Sequence, residues 1–318
     1  MKSHGAAWLT LLSALSLSGT LLQAEAAAPP DGANNSYVQH VRSERIEREA
    51  AIKSEHGVLS YVGAYLLKEG ENSVGSDPGS EIRLPADSAP AQVGKFILTN
   101  GHVTFTSSAP GAVFLDGRVV STVELTASGS HPSAGFSVGR LQLQFRLSAD
   151  RQYRVFISDP QGPNFANFHG LDWYPIDADW RIEGRLVPHP NPRKITYENA
   201  LGGNNIANSA GDVLFRRNGR EYRLEVEQGS DGLAALFSDK TSGVSTYGGG
   251  RSLRIETQIG DAVVLDFNQA VNPPCAVNPY TACSLAPSQN RLPFEITAGE
   301  KIPRIRVKRI STAPKRIQ

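Results

Sequence analysis

Residues 95–106 read KFILTNGHVTFT. Two short runs suited to strands, Lys95–Leu98 and Val103–Thr106, flank Asn100-Gly101. Asn-Gly between such runs is the strongest short hairpin signal, because both turn residues must accept positive φ. The pattern recurs outward from this point. Asp116-Gly117 and the stretch from Gly129 to Gly135 punctuate the following segments, and Asn218-Gly219 does so in the second half. Strands are expected at Leu59–Leu67, Glu81–Leu84, Ala112–Leu115, Arg118–Leu125, Phe136–Leu147 and Gln152–Ile157. After the turn-rich Asp159–Asn164 they are expected at Trp180–Val187, Lys194–Glu198, Asp212–Arg217, Glu221–Glu227, Leu233–Ser238, Ser252–Thr257, Ala262–Asp266, Leu292–Ile296 and Ile302–Ile310. Many short strands at even spacing imply a mainly β protein built of sandwiches or barrels.

The chain has 318 residues, room for more than one unit of ordinary size. A formal net charge of +1 provides no global field for nucleic acid or membrane partners. Residues 1–26 read as a Sec-type leader: Lys2 and His4, an apolar run from Ala6 to Leu22, then Ala24-Glu25-Ala26 before a cut near Ala26. A periplasmic or secreted protein is expected, with no transmembrane segment in its mature form. A linker and an amphipathic helix occupy 27–57, with the helix over Tyr37–Gly57, capped by Ser36 and stopped by Gly57. A first β-domain over 58–158 and a second over 159–318 follow.

Within the first, Leu67-Lys-Glu-Gly70, Asn72-Ser-Val-Gly-Ser76, Glu81-Ile-Arg-Leu84, Gly101-His-Val103 and Val113-Phe-Leu-Asp-Gly117 occur in an order that resembles a forkhead-associated β-sandwich. That family reads phosphothreonine with an Arg after its first Gly and a Ser-x-x-His loop. Here Ser76 stands at the Arg position, and no Ser-x-x-His surrounds Gln92-Val-Gly-Lys95. The resemblance therefore implies the fold and a scaffold role.

The second half carries Phe237-SDKTSGVSTYGGG-Arg251, then DFNQAVNPPC over Asp266–Cys275, Cys283, Asn290-Arg-Leu-Pro293 and Gly299-Glu-Lys301. This order closely resembles a bacterial domain-of-unknown-function family, number 1684, departing from it at Val271 and Ser284. The family has no activity to carry over, so the residues are read physically. Asp239, Thr241, Ser242 and Gly243 form a capped polar turn. Tyr247 and the glycines at 248–250 allow close backbone approach. Arg251 either binds an anion from a glycine-lined cleft or pairs internally with Asp239 or Asp266. Asp266 and Asn268 share a face if the strand continues through them, where they orient a ligand or cap the turn at Asn272.

Cys275 and Cys283 either bond in an oxidising compartment or remain buried thiols; their spacing suits no metal and no base activates them. No metal or cofactor is expected. His169 and Asp172 form a possible acid–base pair in an aromatic loop, or the loop is only packing. The C-terminal KIPRIRVKRISTAPKR alternates Ile305 and Val307 with basic residues, as a protected edge strand or a contact for anionic lipid or polysaccharide. These readings imply a binding or envelope-associated module for an unknown small anionic ligand or envelope component. The cleft would be formed by Asp239, Thr241, Tyr247, Arg251, Asp266, Asn268 and His169. A hydrolase using that cleft, or a structural envelope protein, are the alternatives.

Overall fold

The computed structural model describes residues 31–125, 133–147, 151–199, 203–281 and 283–304. The expected leader thus lies outside the described residues. The chain opens with helix α1, Asp31–Lys53. It begins earlier than expected, and Ser36 lies inside it rather than capping it. Gly57 does not end it in a left-handed turn: it is extended, with φ −72°, and precedes a 3₁₀ turn at Val58–Ser60. A Cβ at Gly57 would collide with the carbonyls of Ala51 and Ile52, so glycine is needed there for close approach to the helix end.

Eleven strands then build a two-sheet sandwich. They are β1 (Tyr61–Leu66), β2 (Gly70–Gly75), β3 (Ile82–Arg83), β4 (Gly94–Thr99), β5 (His102–Ser107) and β6 (Val113–Leu115), followed by β7 (Arg118–Val119), β8 (Thr122–Leu125), β9 (Ser133–Val138), β10 (Leu141–Leu147) and β11 (Tyr153–Ser158). One sheet has the order β1-β11-β10-β9-β6-β7 and the other β3-β2-β4-β5-β8. The opening stretch is the β4–β5 hairpin, with Thr99 opposite His102 and both Asn100 and Gly101 at positive φ. Two expected strands divide. Arg118–Leu125 breaks so that β7 and β8 join different sheets, and Phe136–Leu147 folds back at Gly139 (φ +57°) into β9 and β10. The first break is a change of sheet and the second a tight hairpin with Leu141 opposite Val138, neither of which uniform apolar spacing marks. The core between the sheets centres on Phe96, Phe105 and Phe136.

A short helix α2 (Pro163–Asn167) leads to a barrel. Its strands are β12 (Arg181–Val187), β13 (Arg193–Glu198), β14 (Asn204–Arg217), β15 (Arg220–Gly229), β16 (Gly232–Phe237), β17 (Arg251–Thr257) and β18 (Ala262–Asp266). The order β12-β18-β17-β16-β15-β14-β13 closes through a β12–β14 pairing, Gly184 opposite Phe215 and Val187 opposite Asp212. Closure depends on a bend in β14. Its first part pairs with β13, and its pairing with β15 slips between Ser209 and Gly211, after which β14 turns onto β12. Gly211 has φ +148° there, and any Cβ would collide with the carbonyl of Val187.

The segment Leu292–Ile296, expected as a strand, is irregular, although Leu292 and Ile296 fill the barrel core. Asn278 ties barrel to sandwich, donating to the carbonyls of Val58 and Tyr61 at 2.8 Å each. Asn164 donates to Leu59 and Tyr61, and Ile52, Leu59, Phe168 and Val277 pack beside them.

Helix α1 lies against the barrel. Among the residues whose burial is described it buries Val41 and Ile52 fully, leaves Ile46 exposed, and docks mainly through polar side chains. Charged residues carry much of this interface. Arg45 donates to the carbonyls of Tyr174 and Asn268 and stacks over Trp173. Arg48 donates to the Asn272 carbonyl at 2.7 Å and meets Glu300 at 3.4 Å.

Candidate functional site

The polar turn after β16 forms as its residue types dictate. Asp239 Oδ1 accepts from the Thr241 backbone at 2.7 Å and from its hydroxyl at 2.6 Å, and Thr241 meets Thr246 at 2.9 Å. Arg251 opens β17 directly beneath. Its guanidinium meets Asp239 Oδ2 at 2.9 Å and donates to the carbonyls of Ile296 and Ala298. Arg251 is wholly buried, so of the two readings the structure shows the internal pair with Asp239. Burial pulls its pKa down, while Asp239 opposes that shift.

The glycines serve the same packing. Gly250 has φ +98°, and a Cβ there would come within 2.5 Å of the Phe237 carbonyl. At Gly249 it would come within 2.6 Å of the Tyr247 ring. What approaches these glycines so closely is the chain itself. Gly248 differs: a Cβ there makes only ordinary contacts, the nearest at 3.6 Å.

Asp266 and Asn268 do not alternate on a strand, which corrects the sequence expectation. The strand ends at Asp266, which caps a 3₁₀ turn over Phe267–Gln269 by accepting from the Asn268 backbone at 3.1 Å. The side chains still meet, Asn268 Nδ2 donating to Asp266 Oδ1 at 3.1 Å. Their polar face does not open onto solvent, because Tyr37 of α1 fills it. The phenol contacts both Asp266 carboxylate oxygens at 2.9 Å and accepts from Asn268 at 2.9 Å. Burial, followed by the Asp266 charge, pushes the phenol pKa far upward.

Tyr247 is tied elsewhere, its backbone donating to Asn272 Oδ1 at 3.3 Å. His169 is not brought to this network. It is exposed on the loop after α2, and Asp172 pairs instead with Arg304 at 2.8 Å. Arg251 and Asp266 therefore do not converge with a titratable partner on an open pocket, as an acid–base site in this cleft would require.

Several of the residues holding this end together escaped the sequence reading. Glu300 is fully buried and accepts from Asn272 through both its backbone and its amide. Asn290 donates to the carbonyls of Glu225 and Leu236 and accepts from the Glu225 backbone. Both belong to the family pattern quoted above, and buried asparagines and glutamates within an irregular apolar segment are the signal available. Cys275 and Cys283 are bonded, Cα–Cα 6.0 Å, and close the loop that carries Asn278. Among the described residues no three His, Cys, Asp or Glu side chains group to hold a metal.

An open cavity of about 870 Å³ lies beside the buried pair. One wall is the 285–293 segment, tied to β13 by Leu285 N to the Glu198 carbonyl (2.7 Å) and to the glycines by Ala286 N to the Gly249 carbonyl (2.8 Å). Asp239, Lys240 and Ser242 form another side, with Gly248 and Gly249 between. Lys240 and Arg291 line it, are exposed, and have no ion-pair partner among the described residues.

The pattern of a family described as a protein of unknown function (DUF1684) matches residues 166–301, the span that builds the barrel and this cavity. No curated protein matches the chain. An uncharacterised protein from Haloarcula marismortui, known from a solution NMR structure, is 30% identical over 45% of this chain and 82% of its own, with a TM-score of 0.37. An FHA-2 domain of a Mycobacterium tuberculosis ABC transporter is 19% identical over 27% of this chain and 74% of its own, with a TM-score of 0.21. The sandwich described above rests on its own strand pairings. From its signature residues and the matched span, the segment 166–301 belongs to the DUF1684 family of unknown function.

Proposed function

We propose that the barrel binds a small anionic molecule in the open cavity beside the Arg251–Asp239 pair. The observation that carries this reading is the contrast in how the signature spends its cations. Arg251 is consumed internally, whereas Lys240 and Arg291 face a roomy cavity with no carboxylate among the described residues paired to either. Unpaired cations around a concave, glycine-edged surface favour carboxylate or phosphate groups. Glu198 on the same wall supplies an acceptor for a ligand hydroxyl. The leader-like N-terminus and the Cys275–Cys283 bond support an extracytoplasmic setting, as a binding or envelope-associated module.

Calorimetric titration with inorganic phosphate, citrate and glucose 6-phosphate tests this. At least one should bind, and Lys240→Ala with Arg291→Ala should abolish that binding. The Tm without ligand should hold, since exposed substitutions cost less than about 0.5 kcal/mol. Binding that survives the double substitution, or no binding by any of the three, rejects the reading.

A further inference from the structure

A second open groove, of about 520 Å³, runs between α1 and the barrel, on the far side of the signature from the proposed anion cavity. Ala234 and Val271 line it as partly exposed apolar residues over the buried Val41 and Leu233, and Trp173 lines it too. Three carboxylates stand around it: Glu44 and Glu47 from α1 and Asp231 from the β15–β16 turn. Of the cations present, Arg45 and Arg48 are already spent on barrel carbonyls and Glu300. Beyond these, Arg254 lines the groove and His40 meets Glu44 at 3.5 Å, against three acids. Burial holds the Glu44 carboxyl above its ordinary range, with His40 and Arg254 opposing that shift.

The described chain ends beside this groove. Glu300 pairs across to Trp173 in an isolated bridge and meets Arg48, so two groove residues hold it. Arg304, the last described residue, pairs with Asp172, the neighbour of Trp173. Fourteen residues follow, 305–318. They contain Arg306, Lys308, Arg309, Lys315 and Arg316 and no acid, and Ile305 and Val307 alternate with Arg306 and Lys308. Fully extended, they reach at most about 50 Å, more than enough for an adjoining groove.

We infer that the groove between α1 and the barrel is the docking site of the chain's own basic segment 305–318. Ile305 and Val307 meet the apolar floor while the alternating cations meet Glu44, Glu47 and Asp231. Tethering makes the contact intramolecular, so weak individual ion pairs suffice to hold it.

The test uses 5-fluorotryptophan ¹⁹F NMR, with Trp173→Phe assigning the groove signal. The full chain is compared with one ending at Arg304, which keeps every described residue, and a synthetic 305–318 peptide is then added. The Trp173 signal should move on truncation and return with peptide, while the Trp180 signal, in the barrel core, should not move. The triple variant Glu44→Gln, Glu47→Gln, Asp231→Asn should weaken peptide binding about tenfold. An unchanged Trp173 signal on truncation, or equal peptide affinity in the triple variant, overturns the inference. So does a truncation shift that accompanies loss of a dimer by light scattering, which would assign the groove to a second copy. A tail that binds anionic phosphatidylserine vesicles while truncation leaves Trp173 unmoved also overturns it.

Discussion

In the sandwich, Phe105 lies 5.0 Å from Phe96 and from Phe136, ring centre to ring centre, and apolar side chains fill the space between the sheets. At the signature end of the barrel the comparable depth is occupied by Arg251, Asp239, Asn272, Asn290 and Glu300, all buried. The sandwich is held by dispersion and by water excluded from rings, which tolerate substitutes of similar shape. The barrel end is held by directional groups, each of which becomes a liability once its partner is removed. Its irregular segments can lie inside the fold because asparagine side chains satisfy backbone groups that no strand neighbour reaches. The same internal pairing, with Asp239 and the Ile296 and Ala298 carbonyls, explains why so polar a signature offers no open cleft at Arg251.

This contrast is most severely tested at Arg251. Arg251→Met removes the partner of a buried carboxylate and should cost about 3–5 kcal/mol in urea denaturation. Adding Asp239→Asn should recover part of that loss, because the stranded charge goes with it. A single-variant cost below 1 kcal/mol, or no recovery in the double variant, would mean that the pair does not organise the barrel end. In the sandwich, Phe105→Leu should cost less, about 1–2 kcal/mol, since a neighbouring ring shift partly refills the space. If Phe105→Leu proves as costly as Arg251→Met, the distinction between tolerant and directional cores collapses.

Legibility in the sequence divides along the same line. Asn100-Gly101 and Asn218-Gly219 marked their turns because the positive φ they supply is a local requirement, met by the residues themselves. The barrel strands were likewise visible, while their closure was not. It depends on one bend at Gly211, and a glycine in a strand looks the same whether it bends or merely weakens it. Arg251 was legible as a dilemma, anion site or internal pair, and only the position of Asp239 across the turn resolved it. The Tyr37 contact to Asp266 was beyond reach, since it joins residues 229 positions apart through a helix with almost no apolar stripe. The open cavity was half legible: Asp239 and the glycines were named, but Lys240 and Arg291 were not singled out within the signature.

Two buried glutamates near the barrel give the finest test, because their environments displace them in opposite directions. Burial raises the carboxyl pKa of Glu300, and Arg48 and Asn272 only partly counter it. Burial also acts on Glu225, but Gln289, Ser209, Arg193 and His189 outweigh it and hold that carboxyl below its ordinary value. A group raised on folding contributes stability below its unfolded pKa and loses it as pH climbs through the folded value. Glu300 therefore favours the fold below about pH 4.5, the ordinary value, and progressively less above it. Glu225 does the reverse, supporting the fold above pH 4.5 and losing that support as pH falls through its lowered value. Glu300→Gln should thus flatten the decline in unfolding free energy between pH 4.5 and neutrality, whereas Glu225→Gln should flatten the acid limb. Urea titrations at a series of pH values read both slopes. If both substitutions flatten the same limb, hydrogen-bond donors do not decide which buried carboxylates this barrel keeps ionised, and the directional account of its polar end fails where it is most specific.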